Sequence, residues 1–336
     1  MKEKMKEFRS HVLVMSLCVL IVTLISVALL SAQSARAQGY PTKPIELIHP
    51  YGPGTAMDIV SRLIADIAPK YLGQPMIVNT KPGASASIGA ADLIASNPDG
   101  YKLLSMVHHY FASTIHTQKL PFNPNDLVPL ANFVELMQAM AARADSPFKT
   151  LSDLLEYARK NPGRLTWSHG GRGITSHVIA MGIFNKEGVN TVDVPYKGGT
   201  VESLTALLGG HVDMASITSP FDDHVKAGKI RLLMVYADQR SPSFPNVPTI
   251  VELGYPGMFL PAYTGIYIHK NTPEPIKKIL MDALKKVYDD PAFKKGIANL
   301  GVEPKWGGPD FINEQIKRSE AIAVPALKKL GMYLDK

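Results

Sequence analysis

Cysteine is almost absent from this sequence: its 336 residues contain a single one, Cys18. It lies in an apolar run, residues 12–30, which follows a charged leader and precedes Ala35-Arg36-Ala37. This order is typical of an export signal with a small-x-small cleavage site, so we expect residues 1–37 to be a cleaved signal peptide and the protein to be periplasmic. A run of about 19 apolar residues is also long enough for a retained membrane anchor, and that alternative stays open.

The rest of the chain has no cysteine, which excludes disulfides, thiol nucleophiles and cysteine metal sites there. The patterns G-x-x-x-x-G-K-[ST], G-x-G-x-x-G, H-E-x-x-H and G-x-S-x-G are also missing. Their absence argues against nucleotide phosphates, dinucleotides, a zinc protease and a serine hydrolase. We therefore expect a protein that is not an enzyme and needs no cofactor, with an exported hydrolase as a remote alternative.

The histidines do not form a metal motif. His108 and His109 are adjacent near the end of an expected strand, and neighbouring strand residues point to opposite faces. His169 and His177 lie on either side of a glycine-rich turn without the spacing of metal ligands. We expect no metal site, and structural or ligand-bonding roles for these side chains.

Charge of one sign is in small excess. The formal net charge is +7, part of which lies in the leader. Later lysines such as Lys277, Lys278, Lys285 and Lys286 recur at helical intervals with acids between them. This pattern indicates a solvated helix face rather than a nucleic-acid surface, and a mild positive balance suits attraction of small anions. We expect a monomer that binds no nucleic acid.

Short apolar runs alternate with longer amphipathic ones. "IELIHP" (45–50) indicates a strand and "MDIVSRLIADIAPKYLG" (57–73) a helix, and the pattern resumes from "TLSDLLEYARKNPG" to "IRLLMVYA". Such alternation predicts an α/β fold with mainly parallel sheets and helices on both faces. Because roughly 300 residues exceed what one core usually serves, we expect two domains. Apolar runs near 131–143 and 260–268 are candidate strands that cross between them.

Three glycine-rich turns occur at strand ends or just before helices. They are the first turn "YGPGTAMD" (51–58), the second turn "KPGASASIGA" (81–90) and the third turn "SHGGRGITSH" (168–177). Free N–H groups and the helix dipole favour an anion at such places. Without a P-loop lysine, a carboxylate fits better than a phosphate. Hydroxyl donors are available from Thr55, Ser85, Thr175 and Ser176.

Two charged residues in these turns have competing interpretations. Asp58 either complements the dipole of the helix that it starts or points into a cleft as an acceptor. Arg172 either forms a bidentate pair with a ligand carboxylate or is a solvated loop residue. The residues alone leave both choices open.

Several longer segments resemble one family. They include "YPTKPIELIHPYGPGTAMDIVSRLIA", "LGQPMIVNTKPGASASIGAADLIASNPDGYKLL", "VPYKGGTVESLTALLGGHVDM", "FPNVPTIVELGYPG" and "GVEPKWGGPDFINEQI". In this order they resemble the Bug family of periplasmic solute-binding proteins of tripartite tricarboxylate transporters. The resemblance implies the type II periplasmic-binding-protein fold, with two doubly wound α/β lobes joined by crossing strands around a ligand cleft. We expect lobe 1 to comprise residues 40–140 and 261–336, and lobe 2 residues 141–260.

The resemblance also implies a function and a set of ligand contacts. Such a protein captures a small organic carboxylate and delivers it to a membrane permease of one large and one small subunit; a sensor for a receptor kinase is the alternative. The implied contacts are Tyr51, Gly54, Thr55, Asp58, Gly83, Ala84, Ser85, Gly173, Thr175 and Ser176, with Pro195, Tyr196 and Lys197 near the hinge. His109, Arg172 and Tyr263 complete the candidate site.

The chain departs from the family pattern within the expected cleft. Pro53 separates the glycines of the first turn, and Met57 stands where the family has a small residue. Tyr263 stands where a tryptophan is common. Met57 and Tyr263, with Tyr51 and Tyr110, suit a ligand with an apolar or aromatic body, so we expect an aromatic carboxylate or a dicarboxylate and do not assume a citrate-like ligand.

Overall fold

The computed structural model describes Met15 and residues 39–196, 199–298 and 300–334. Apart from Met15, the expected signal peptide lies outside the described residues, as does Lys197. No helix in these described ranges is long and apolar enough to cross a membrane.

Eleven strands form two sheets in the described chain. The first sheet has the order β11-β4-β10-β3-β1-β2 and the second β7-β6-β8-β5-β9. The strands are β1 (Ile45–His49), β2 (Met76–Thr80), β3 (Lys102–Val107), β4 (Leu127–Leu136), β5 (Gln138–Arg143), β6 (Thr166–His169), β7 (Val192–Pro195), β8 (Met214–Thr218), β9 (Ile230–Val235), β10 (Tyr263–His269) and β11 (Val302–Gly307). Each sheet with the helices packed on it is called a lobe below.

Helices follow most of the strands, as the alternation predicts. They are α1 (Ala56–Ile67), α2 (Pro69–Leu72), α3 (Ser87–Ile94), α4 (His109–Ala112), α5 (Leu151–Lys160), α6 (Thr175–Lys186), α7 (Thr200–Leu208), α8 (Asp222–Lys226), α9 (Glu274–Asp289), α10 (Pro291–Ile297) and α11 (Pro309–Lys329). Single 3-10 turns occur at Ala84–Ala86, Thr114–His116, Pro124–Asp126 and Pro256–Met258.

Helix α1 shows why a turn gives way to a helix at the cleft. The Thr55 hydroxyl accepts from the Asp58 N–H at 3.2 Å, which caps the first turn. Val60 and Ile64 are buried at a helical interval and seat the helix on the first core. The next helical turn, α2, ends at Gly73, whose φ of +70° is the left-handed conformation that glycine adopts without strain.

The expectation of mainly parallel sheets is wrong. β1 pairs in parallel with β2 and β3, and β6 with β7 and β8. All pairs that involve the crossing strands β4, β5 and β10 are antiparallel. The reason is connectivity: none of these antiparallel pairs joins strands that are consecutive along the chain, so no βαβ crossover forces them to be parallel.

The two lobes are linked closely at the crossings. The chain leaves the first sheet at the end of β4 and enters the second sheet at β5, with only Met137 between the two strands. The expected division at residues 140 and 261 stays a prediction. Helix α11 adds a further link, since its Ile312 lies in the first core whereas Ala323 and Leu327 lie in the second.

Candidate functional site

The glycine-rich turns of both lobes face one another across a cleft. Within it lies an inner cavity, whose empty space together with its mouth open to solvent is about 530 Å³. The first lobe lines it with Tyr51, Thr55, Ala56, Met57, Val107, His109, Leu136 and Ala262, and the second with Gly170, Ile174, Gly199, Thr200, Thr218 and Ser219. Most of these side chains are apolar, so the inner cavity favours a ligand with an apolar body.

Three helices begin at the inner cavity. Ala56 is the first residue of α1, Thr200 is the first residue of α7, and Ile174 directly precedes α6. The positive ends of the helix dipoles and the unsatisfied N–H groups of the first turns favour an anion there. Among the described lining residues there is no lysine or arginine. A carboxylate would therefore be held by peptide groups and hydroxyls.

A wider outer cleft of about 1140 Å³ continues the inner cavity toward solvent. The two volumes share Tyr51, Gly170, Ile174 and Gly199. The rest of the outer lining is Pro50, Gly83, Ala84, Ser85, Ala86, Ile88, Gly171, Arg172, Pro195 and Tyr196. A ligand longer than the inner cavity would extend into this outer space.

The second turn has an unusual backbone. Ala84, Ser85 and Ala86 all have positive φ values, of 45°, 50° and 80°. A residue with a Cβ in this conformation costs about 1–2 kcal/mol relative to the ordinary helical region. Three such residues in succession at a cleft indicate strain held by the surrounding structure.

Hydrogen bonds close the cleft from one lobe to the other. Thr175 Oγ1 lies 2.8 Å from His109 Nδ1, and Ser113 Oγ donates to the Gly173 carbonyl at 2.5 Å. Ser85 Oγ donates to the Arg172 carbonyl at 3.4 Å. The third turn is thus held by three polar side chains of the opposite lobe, and the structure shows a closed cleft.

Two glycines of the third turn allow close packing, Gly170 within the second lobe and Gly173 between the lobes. A Cβ at Gly170 would meet Gly199 Cα at 3.1 Å, in the backbone that leads into α7. A Cβ at Gly173 would lie 2.7 Å from Thr117 Oγ1 of the first lobe, and the φ of Gly173 is +80°. A larger residue at position 170 would displace the start of α7, whereas one at position 173 would strain the turn and press on the first lobe.

Asp58 lies outside both cavities. Its carboxylate accepts from the Gly54 N–H at 3.0 Å and pairs with Arg62 Nε at 3.0 Å. These contacts agree with the first interpretation, in which the carboxylate holds the turn and the start of α1. Direct contact with a ligand stays a prediction for Asp58.

Arg172 belongs to a polar cluster beside the outer cleft. Its Nη2 lies 3.0 Å from Oδ2 of Asp193, and the same oxygen lies 3.3 Å from His169 Nε2 and 3.7 Å from His177 Nε2. The nearby His177 imidazole, together with His169 and Arg172, holds the pKa of Asp193 well below its usual range. Burial lowers the pKa of His169 to about 4 and also lowers that of His177.

His109 lines the inner cavity as a neutral side chain. Burial lowers its pKa to about 3. Its neighbour His108 faces away from the cavity, with Nε2 2.8 Å from Ser319 Oγ and Nδ1 accepting from the Tyr263 N–H at 3.2 Å. The cavity therefore receives a polar nitrogen from His109 and no imidazolium.

The structure brings together many of the candidate residues. Tyr51, Thr55 and His109 line the inner cavity, and Tyr51, Gly83, Ala84, Ser85, Arg172, Pro195 and Tyr196 line the outer cleft. Gly54, Asp58, Gly173, Thr175, Ser176 and Tyr263 support these walls from outside both volumes. Whether each residue contacts a ligand stays a prediction.

Sequence reasoning missed one wall of the inner cavity. Thr200, Thr218 and Ser219 come from the start of α7 and the end of β8. The signal was present, because "YKGGT" links a strand to a helix and "ITSP" ends a strand at the same edge of the sheet. Val107, Leu136 and Ala262 gave no such signal, since they resemble ordinary core residues.

Comparisons with known proteins agree with this geometry. Residues 60–330 match the family described as tripartite tricarboxylate transporter family receptor. A UPF0065 protein of Cupriavidus necator is 36% identical over 310 residues, which are 90% of this chain and 93% of the relative. Among solved structures, the periplasmic binding protein BugD has a TM-score of 0.80 at 27% identity and covers 88% of this chain and 99% of its own.

A second solved structure contains a ligand. MatC from Rhodopseudomonas palustris, solved with bound malate, has a TM-score of 0.74 at 27% identity, over 84% of this chain and 100% of its own. These matches confirm the two-lobed type II periplasmic-binding-protein fold and the resemblance to the Bug family. The chain belongs to the tripartite tricarboxylate transporter receptor family.

Proposed function

We propose that this protein is exported to the periplasm, captures one small organic carboxylate between its lobes and delivers it to a tripartite tricarboxylate transporter permease. The observation that carries the proposal is the convergence of three helix N-termini, those of α1, α6 and α7, on one cavity between the lobes. Peptide N–H groups can hold a carboxylate there without a metal or cofactor.

The lining supports a ligand with an apolar or aromatic body. Met57, Leu136 and Ile174 surround the inner cavity, and Tyr51 lies where it opens into the outer cleft. The carboxylate would point to the helix N-termini and the body would pack on these side chains. A ligand with several hydroxyl or carboxylate groups would leave polar atoms unpaired against them.

Closure of the lobes would be the functional event, and no chemical reaction is part of the proposal. A ligand that contacts both lobes stabilises the closed state by its differential affinity for that state. The permease then distinguishes the closed protein from the open one. MatC with malate is a relative in which a small dicarboxylate is bound.

Calorimetric titration of the purified protein with terephthalate, protocatechuate, citrate and adipate tests the ligand class. We expect an aromatic acid to bind at least about tenfold more tightly than citrate. The amide of that acid should bind about tenfold more weakly than the acid itself. Tight binding of citrate alone would contradict the apolar-body proposal, and no binding of any carboxylate would contradict the carboxylate function.

Two substitutions that each introduce a negative charge test where the ligand binds. Ile174→Glu places a negative charge in the inner cavity, and we expect it to abolish carboxylate binding. Ile77→Glu on edge strand β2, where the side chain is 56% exposed, is the matched control and should bind normally. Uptake of labelled ligand by vesicles that contain the permease, with and without the protein, separates delivery from a sensor role.

A further inference from the structure

A second polar site lies in the second lobe. His169 ends β6, His177 lies in the first turn of α6, and Asp193 lies in the neighbouring strand β7. One ring nitrogen from each histidine and one carboxylate oxygen lie within 4.8 Å of one another. Both imidazoles are fully buried, whereas Asp193 is half-buried at the edge of the cluster. We call these three residues the His-His-Asp cluster.

The hydrogen bonds of this cluster are incomplete. His169 Nδ1 lies 2.8 Å from the Gly171 carbonyl oxygen and 3.2 Å from the Gly171 nitrogen, so either tautomer has a local partner, and its Nε2 faces Asp193 Oδ2 at 3.3 Å. His177 Nε2 is buried and makes no hydrogen bond within the described structure. A cation between these atoms would satisfy all of them.

We propose that the His-His-Asp cluster binds a divalent transition metal of the Zn²⁺ class through His169 Nε2, His177 Nε2 and Asp193. Neutral imidazole and carboxylate are ligands that such metals prefer. A histidine ligand commonly donates its other N–H to a backbone carbonyl, and His169 Nδ1 lies 2.8 Å from the Gly171 carbonyl, where it would donate once a metal is bound. The proposal departs from the expectation of no metal that sequence spacing gives.

The distances suit this class of ion. Tetrahedral ligands about 2.0–2.1 Å from zinc lie about 3.3 Å from one another. Asp193 Oδ2 is 3.3 Å from one imidazole nitrogen and 3.7 Å from the other. Side-chain shifts that bring these three atoms, now within 4.8 Å of one another, to that spacing would close the ligand set.

Arg172 competes with the metal. Its guanidinium, 3.0 Å from Asp193 Oδ2, now supplies the positive charge, and its side chain is 59% exposed, so it can turn into solvent. The Gly173 N–H also donates to His177 Nδ1 at 3.2 Å and would have to release it, because a metal-bound imidazole carries its proton on that atom. Metal binding would thus change the third turn, between residues 171 and 174.

Titration of the untagged, EDTA-treated protein with ZnCl₂ alone tests the proposal by calorimetry. We expect one site per chain, weakened at least about tenfold by His169→Ala, His177→Ala and Asp193→Asn. Arg172→Ala should strengthen binding several-fold, because it removes the competing cation. The exposed His211 provides the control, and His211→Ala should leave the affinity unchanged.

A spectroscopic readout locates the bound ion without substituting any of the three ligands. Trp167 stacks on His177, with ring centroids 5.6 Å apart and planes 18° apart. With Cu²⁺ as the probe, we expect quenching of Trp167 fluorescence in a Trp306→Phe background and electron paramagnetic resonance couplings from two imidazole nitrogens. Loss of these signals in His177→Gln would support the site.

Three results would overturn the metal site: no saturable Zn²⁺ binding, binding unchanged in both histidine variants, or weaker binding in Arg172→Ala. The proposal is independent of the carboxylate function. Carboxylate titrations are run with EDTA present and Zn²⁺ titrations without any carboxylate, so failure of one leaves the other intact.

Discussion

Thr175 Oγ1 and His109 Nδ1 lie 2.8 Å apart, although one residue begins α6 in the second lobe and the other begins α4 in the first. Both side chains are buried. Because His109 stays neutral in this environment, the bond joins two uncharged groups, and its strength will change little with salt. It is one of the contacts that hold the cleft closed.

Removal of this bond should favour the open protein. Thr175→Val leaves His109 Nδ1 buried without its partner in the closed state, at a cost of about 1–3 kcal/mol. We expect weaker carboxylate binding and a larger radius of gyration by small-angle X-ray scattering. Thr205→Val is the matched control, since the Thr205 hydroxyl donates only to the Val201 carbonyl of its own helix, at 2.8 Å. Equal radii for both variants would contradict the role of the bond in closure.

The second turn offers a stabilising substitution. Ala84 is exposed and has a φ of 45°, so Ala84→Gly relieves about 1–2 kcal/mol of strain and adds a smaller entropy cost to the folded state. We expect a net gain of about 0.5–1 kcal/mol in the free energy of unfolding by urea denaturation. Ala91→Gly within α3, where the backbone is helical, should lose about 1 kcal/mol. A loss in both variants would show that the turn is not strained.

Acid should destabilise the fold through His108. Burial lowers its pKa to about 4, whereas an unfolded histidine has a pKa of about 6.5. The unfolded chain therefore binds more protons between these values, and stability is lost as the pH falls from 6.5 toward 4. In His108→Gln we expect a lower free energy of unfolding at pH 7.5 but a flatter dependence on pH. The exposed His211→Gln serves as the control, and an unchanged slope in His108→Gln would refute the assignment.

Arg172 should matter more for a dicarboxylate than for a monocarboxylate. Its guanidinium lines the outer cleft, where the distal group of an extended ligand would lie. With EDTA present, we expect Arg172→Ala to weaken terephthalate binding more than benzoate binding, and Asp193→Asn to strengthen terephthalate binding by freeing the guanidinium. Equal losses for both acids in Arg172→Ala would remove Arg172 from the ligand site.

Local pattern predicts the elements of this fold better than their arrangement. The helical spacing and threonine cap of α1 are both visible in "TAMDIVSRLIADI", and the structure has a helix there. β11 was not expected, because Pro304 and two charged residues lie within it; it is an edge strand, where proline is tolerated. The antiparallel crossing strands follow from long-range connectivity, which no local pattern contains.

The candidate site likewise contains residues that the sequence predicts and residues that it does not. The turns at Thr55 and Ser85 carry their own glycines and hydroxyls, so the sequence alone predicts them as candidate anion-binding turns, and the structure places both at the cleft. Asp193 could not be joined to His169 and His177, because it lies on a different strand and only the parallel pairing of β6 with β7 brings it near. Apolar walls such as Leu136 carry no chemical signal at all.

Helix α11 has a consequence for motion. Its early residue Ile312 is seated in one core and its late residue Leu327 in the other, and beyond it the Leu334 N–H donates to the His116 carbonyl of the first lobe at 2.8 Å. If the lobes move apart, α11 must bend or lose its contacts with one of the two cores. The position of the carboxyl-terminal segment should therefore depend on the angle between the lobes, and a fluorophore attached at Leu334 should report their opening.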